Sequence, residues 1–97
     1  MKKYYFIGIG GIGMSSIARF LVQQGHAVAG YDKTPSKITN GLERLGVEVI
    51  FEEEVNALPP IFSEKNTQVV YTPAIPSGHP QLNYFFALSL QIHLPYF

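Results

Sequence analysis

Apolar positions along this chain follow two alternating rhythms. Short unbroken runs, rich in aromatic and β-branched residues, predict strands at Tyr4 to Ile9, Ala27 to Tyr31, Val47 to Phe51, Gln68 to Tyr71 and Gln91 to Leu94. Between them, apolar residues recur at helical spacing. Met14, Ile17, Ala18, Leu21 and Val22 form one stripe of a helix from Ile12 to Gln24, stopped by Gly25. Ile38, Leu42 and Leu45 line a second helix, preceded by the turn and N-cap Thr34-Pro35-Ser36 and closed by Gly46; Asn40-Gly41 inside it lowers its stability. Pro80 suits the first turn of a third helix, whose buried face is Leu82, Phe85 and Phe86. Residues 52–66 are less regular. Glu52-Glu53-Glu54 open a short turn with Val55 and Leu58 packing inward, Pro59-Pro60 end it, and Ile61 to Asn66 is a loop.

Strand–helix alternation with runs buried on both faces implies an α/β fold with a doubly wound parallel sheet. Right-handed crossovers then give about five strands in the order 3-2-1-4-5, with a switch point between the first and fourth. No internal repeat or low-complexity segment interrupts this plan.

The chemistry concentrates where the first strand meets the first helix. Gly8-Ile9-Gly10-Gly11-Ile12-Gly13-Met14-Ser15 contains G-x-G-x-x-G through Gly8, Gly10 and Gly13, in the strand–turn–helix context that makes the fold Rossmann-like. Gly8 permits the tight turn, Gly10 keeps side-chain bulk away from a diphosphate, and Gly13 lets the helix pack close to the sheet. Free amides and the positive end of the helix dipole attract the anion. The motif does not say which diphosphate binds, and a glycine-rich turn without a ligand has the same pattern. Asp32 ends the second strand, nineteen residues after Gly13, where a carboxylate accepts hydrogen bonds from ribose hydroxyls. The Thr72-Pro73-Ala74-Ile75-Pro76-Ser77 loop leaves the fourth strand at the switch point; it either frames a base or sugar or is a proline-stiffened turn.

Composition narrows the field. Ninety-seven residues make one small domain, burying about 60–65% of its unfolded surface. Seven basic residues balance seven acidic ones, which argues against a nucleic-acid partner but not against one anion held by backbone amides. There is no cysteine, so neither a disulfide scaffold nor a thiolate metal site. No signal peptide or membrane span is evident, and a cytoplasmic chain without a membrane partner is expected. His26, His79 and His93 are scattered without metal-ligand spacing, and Glu52-Glu53-Glu54 reads as a solvated acidic face. No Gly-Lys-Ser or Gly-Lys-Thr occurs, so P-loop ATP chemistry has no place here, and no catalytic constellation is present.

The glycine loop, with its double glycine and Gly-Met-Ser ending, resembles the opening of the Mur ligase family, most closely the branch that joins L-alanine to UDP-N-acetylmuramate. Val28-Ala29-Gly30-Tyr31-Asp32 is similar to a family strand ending in Gly-Ser-Asp. Leu45-Gly46-Val47-Glu48-Val49 is similar to a Leu-Gly-hydrophobic stretch, and Val69 to Ile75 with His79-Pro80-Gln81-Leu82 to a Ser-Ser-Ala-Ile and Asn-Pro-Glu-Leu segment. The resemblance runs to about residue 93. It implies that residues 1–97 are the N-terminal, UDP-binding domain of a cytoplasmic ligase of peptidoglycan precursor synthesis, with the central ATP-binding and C-terminal domains absent from this chain. The partner it implies is UDP-N-acetylmuramate, held at its diphosphate by Gly10, Gly11, Ile12, Gly13 and Met14, within a site running from Gly8 to Ser15. Asp32, Thr72, Pro73, Ala74 and Ile75 would flank the uridine. The full-length enzyme would use ATP and magnesium to activate a carboxylate as an acyl phosphate. This domain would hold no cofactor and no metal, and would bind without catalysing.

The sequence departs from the family at Tyr31, where a small residue is usual, at Pro73, where serine is usual, and at Phe51-Glu52, where many members carry Gly-His. The rival expectation is an NAD(P)-binding module of an oxidoreductase or redox-sensing regulator. The apolar end Leu94-Pro95-Tyr96-Phe97 predicts either a fragment of a longer protein or a tail that packs on a partner, such as a homo-oligomer.

Overall fold

The computed structural model describes residues 1–64, 66–88 and 92–93. Five strands, β1 (Lys3–Ile7), β2 (Ala27–Tyr31), β3 (Glu48–Ile50), β4 (Thr67–Tyr71) and β5 (Ile92–His93), form one sheet in the order β3-β2-β1-β4-β5. Every neighbouring pair is parallel; Tyr5 stands beside Ala29 on one side and Val69 on the other. The order and direction are those the alternating rhythm predicts. The tail Leu94 to Phe97, expected to meet a partner, lies outside the described residues.

Alternating side chains of the strands feed two cores. Tyr5, Ile7, Ala29, Tyr31 and Val69 face one way and pack with Leu58, Phe62, Leu82 and Phe85. Phe6, Val28, Val49 and Val70 face the other, against Met14 and Ala18 of α1 (Ile12–Gln23), Leu42 of α2 (Lys37–Arg44), and Ile9 and Val47. Helix α3 (Pro80–Ala87) therefore covers the face opposite α1 and α2. That change of face between β1 and β4 leaves a crevice at the carboxyl ends of these strands.

A buried polar hub ties α3 to the sheet. Gln81 is fully buried; its Oε1 accepts from the Tyr5 hydroxyl at 2.7 Å, and its Nε2 donates to the carbonyls of Glu52 and Glu54 at 2.9 and 3.0 Å. Burial pushes the Tyr5 phenol well above its ordinary range, so it remains a donor. The β3–β4 connection, which carries no strong periodicity, is thus pinned by its main chain.

Helix α2 begins with a reciprocal cap. Ser36 Oγ accepts from Thr39 N, and Thr39 Oγ1 accepts from Ser36 N, which offsets two orphan amides. Inside α2, a Cβ on Gly41 would stand 3.0 Å from a terminal nitrogen of Arg19, an exposed side chain able to swing aside. Gly41→Ala should therefore recover about 0.5–1 kcal/mol of helix propensity. A rise in urea midpoint without a change in m-value would show it; a fall would mean that Arg19 is held in place.

Several sequence expectations need correction. Leu45 is 44% exposed because it caps α2 rather than extending its stripe, and Phe86 is 51% exposed, meeting only Tyr71 edge-on among the ring contacts. Val55 is also exposed. The stretch expected as a loop contains a 3-10 turn, Pro60–Phe62, that drives Phe62 into the core. No helix among the described residues is long and apolar enough to cross a membrane.

Candidate functional site

The chain leaves β1 through Gly8, whose φ of 93° is the left-handed conformation that glycine adopts freely. The amides of Gly8 and Ile9 both donate to the carbonyl of Tyr31, at 2.8 and 2.9 Å, so the loop folds over the end of β2. Gly30 permits that approach. A Cβ there would lie 2.6 Å from Ile9 Cδ1 and 2.8 Å from the Phe6 carbonyl oxygen.

Gly10 lacks a side chain for a reason the motif alone did not indicate. Its amide donates to Asp32 Oδ2 at 2.7 Å, and a Cβ would meet that same oxygen at 2.6 Å. The space beside Gly10 belongs to a carboxylate of the protein. Asp32 Oδ1 also accepts from Thr34 N at 3.2 Å. Each carboxylate oxygen thus holds one internal donor and has a further lone pair for a ribose hydroxyl.

The remaining amides sort cleanly. Gly11 N donates to the Gly8 carbonyl and Ser15 N to the Gly11 carbonyl. Gly11 is the N-cap of α1 and has no side chain to cap it, and no acidic residue occupies the first turn. The amides of Ile12, Gly13 and Met14 have no partner among the described residues. Three donors at the positive end of a twelve-residue helix suit an anion. Met14 and Ser15 contribute no exposed side chain: Met14 is in the core, and the Ser15 hydroxyl donates to the Ile12 carbonyl. Ile12, by contrast, is 81% exposed at the helix tip.

A cleft of about 640 Å³ opens at the switch point, beside Gly8. Tyr31, Asp32 and Lys33 form one side, Ala74, Ile75 and Pro76 another, with Gly78, His79 and Glu53 completing it. Ile75 reaches across the crevice, its Cδ1 3.2 Å from where a Cβ on Gly8 would be. Thr72 and Pro73 do not line the cleft; the Thr72 carbonyl instead accepts from Ile75 N, which turns Ala74 and Ile75 inward.

Tyr31, Glu53 and His79 are cleft residues that sequence reasoning did not select. His79 had a usable signal: it precedes the helix-starting Pro80 in the connection after β4, and that connection runs along the switch-point crevice. Its ring packs edge-on against Tyr31, with centroids 4.7 Å apart. Burial lowers the imidazole below the ordinary histidine range, partly opposed by Glu53. Burial, then Glu53, Asp32 and Glu54, raise the Tyr31 phenol. Both rings are therefore neutral near pH 7. His26 has a structural role, its Nδ1 accepting from Lys2 N. No group of three or more potential ligating side chains converges on a metal site among the described residues.

The chain is similar to known proteins in sequence and in fold. The model of the Mur ligase family, catalytic domain, matches residues 3–94. A UDP-N-acetylmuramate–L-alanine ligase of Porphyromonas gingivalis is 52% identical over 86 residues, covering 88% of this chain and 19% of the relative. One of Flavobacterium johnsoniae is 45% identical over 92 residues, covering 95% and 20%. Among solved structures, a UDP-N-acetylmuramate–alanine ligase of Thermotoga maritima superposes with a TM-score of 0.85 at 26% identity, over 97% of this chain and 21% of that one. The chain spans about a fifth of the length of these relatives. A match over nearly all its residues, on a sheet of the same fold and with the glycine loop at the switch point, means that the chain belongs to the Mur ligase family.

Proposed function

We propose that this chain is the UDP-binding N-terminal domain of a UDP-N-acetylmuramate–L-alanine ligase, acting in peptidoglycan precursor synthesis in the cytoplasm. The observation that carries the proposal is the set of three unpaired amides, Ile12, Gly13 and Met14, at the N-terminus of α1 and on the same loop as the cleft at Gly8. The diphosphate takes these amides. The uridine enters the cleft between Tyr31-Asp32 and Ala74-Ile75, with Asp32 facing the ribose. The sugar and the amino acid follow from the similar ligases, which join L-alanine to UDP-N-acetylmuramate.

The residues present do not fit ATP or magnesium. There is no Gly-Lys-Ser or Gly-Lys-Thr, and no cluster of ligating carboxylates among the described residues. Carboxylate activation in the parent enzyme is therefore assigned to chain outside these 97 residues, and this domain binds without turnover. Asp32 does not separate this reading from the oxidoreductase alternative, because its spare lone pairs suit the ribose of either nucleotide.

Calorimetric titration of the purified chain tests the proposal. UDP-N-acetylmuramate and, more weakly, UDP should bind, and NADH should not. Asp32→Ala removes the brace on Gly10 together with a ribose acceptor, and should weaken UDP binding roughly 10–100-fold, as expected for charge-assisted hydrogen bonds. NADH binding without a response to either uridine compound would reject the assignment.

A further inference from the structure

His79 is 4% exposed, and neither of its ring nitrogens has a hydrogen-bond partner among the described residues. A neutral imidazole carries one donor and one acceptor, and leaving such groups buried and unpaired costs about 1–3 kcal/mol each. Buried polar groups without partners are rare enough to require an explanation. The other such atom among the described residues, Thr67 Oγ1, sits at the opposite end of β4 and does not line the cleft. His79 does line it.

The surrounding structure holds this residue firmly. His79 N donates to the Pro76 carbonyl, and its own carbonyl accepts from Asn83 N. It precedes Pro80, which restricts its backbone to the extended conformation observed, φ −65° and ψ 119°. Tyr31 fixes one side of the ring. The main chain is fully engaged, and only the imidazole nitrogens are unused.

Resting on the assignment of a uridine diphosphate to this cleft, we propose that His79 is the residue that contacts the base. A uracil presents an imide edge, an N–H between two carbonyls, and a neutral imidazole pairs with it in either tautomer. Both nitrogens are closed off in the unliganded chain, so the ring has to turn toward the cleft, where the bound base supplies the partner that the protein withholds. No neighbouring main-chain group does so, because the nearest helix amide that turns toward His79, that of Asn83, takes its carbonyl. Tyr31, packed edge-on against the imidazole, shields one side of the contact from water, and a shielded hydrogen bond counts for more than one in bulk solvent.

Long-range nitrogen NMR of the histidine rings in the full 97-residue chain, titrated with UDP, tests this directly. The His79 ring nitrogens should shift along the same saturation curve as the amides of Ile12, Gly13 and Met14, while those of His26 stay in place. His79→Phe keeps the ring packing but removes both nitrogens. It should bind UDP about tenfold more weakly while melting at the same temperature or higher, because an apolar ring replaces unpaired polar atoms. Amide shifts without a His79 response, or unchanged UDP affinity in His79→Phe, would overturn the inference and leave the uridine site standing. Absence of any amide shift or heat with UDP would overturn both.

Discussion

Gly30→Ala is expected to destabilise the domain by about 3 kcal/mol, at the upper end of overpacking penalties. The added methyl would lie 2.8 Å from the Phe6 carbonyl oxygen, within the central β1–β2 ladder, and 2.6–2.9 Å from two carbons of Ile9. A flexible side chain can yield, but a carbonyl in a parallel ladder cannot move without disturbing its hydrogen bonds. Ile9 is itself fully buried and begins the glycine loop, so relaxation there shifts the Gly8 and Ile9 amides away from the Tyr31 carbonyl. The melting temperature should fall by roughly 12–24 °C for a domain of this size. UDP affinity should fall with it, even well below the melting point. Thermal circular dichroism paired with UDP titration checks both; a loss below about 1 kcal/mol would show that the loop has more freedom than its packing indicates.

Gln81→Leu should have a comparable effect by a different route. Leucine fills much of the same volume, so little of the cost is a cavity. What remains is a buried Tyr5 hydroxyl without its acceptor and the carbonyls of Glu52 and Glu54 without their donor. At about 1–3 kcal/mol for each buried group, reduced where the carbonyls reach water, the expected loss is about 3 kcal/mol. Overall stability for such a domain is about 5–15 kcal/mol, so the loss is a large share. Tyr5→Phe leaves only Gln81 Oε1 unpaired and should cost less than half as much. Urea unfolding of the two variants and of the double variant would measure the coupling; strictly additive losses would mean that the hub is not a unit.

These two residues also mark how far the sequence could be read. The sheet order was legible because each strand is a compact apolar run and each crossover has a helical stripe. The glycine loop was legible because its spacing is imposed by a turn that only glycine makes easily. What could not be seen was which contact each glycine serves. Gly10 reads as space for a ligand, and the structure gives that space to Asp32; Gly30 carries no motif of its own, yet it sets the approach of Ile9. Gln81 was invisible because a polar residue one position inside a helix is ordinarily solvated, and nothing local reveals that three groups distant in sequence converge on it. His79 was set aside on metal spacing, although its position before Pro80 placed it at the crevice. Phe86 and Leu45 fit the helical period but miss the core, because short helices touch the sheet along a narrower line than their full apolar arc.

The central position of β1 has a consequence for the newborn chain. One of its neighbours, β2, follows closely, whereas the other, β4, is translated roughly sixty residues later. At about 5–20 residues per second, one side of Lys3–Ile7 waits roughly 3–12 seconds on the ribosome for its permanent partner. That interval, with Tyr4, Tyr5 and Phe6 uncovered on an open edge, is when a chaperone would matter most to this polypeptide.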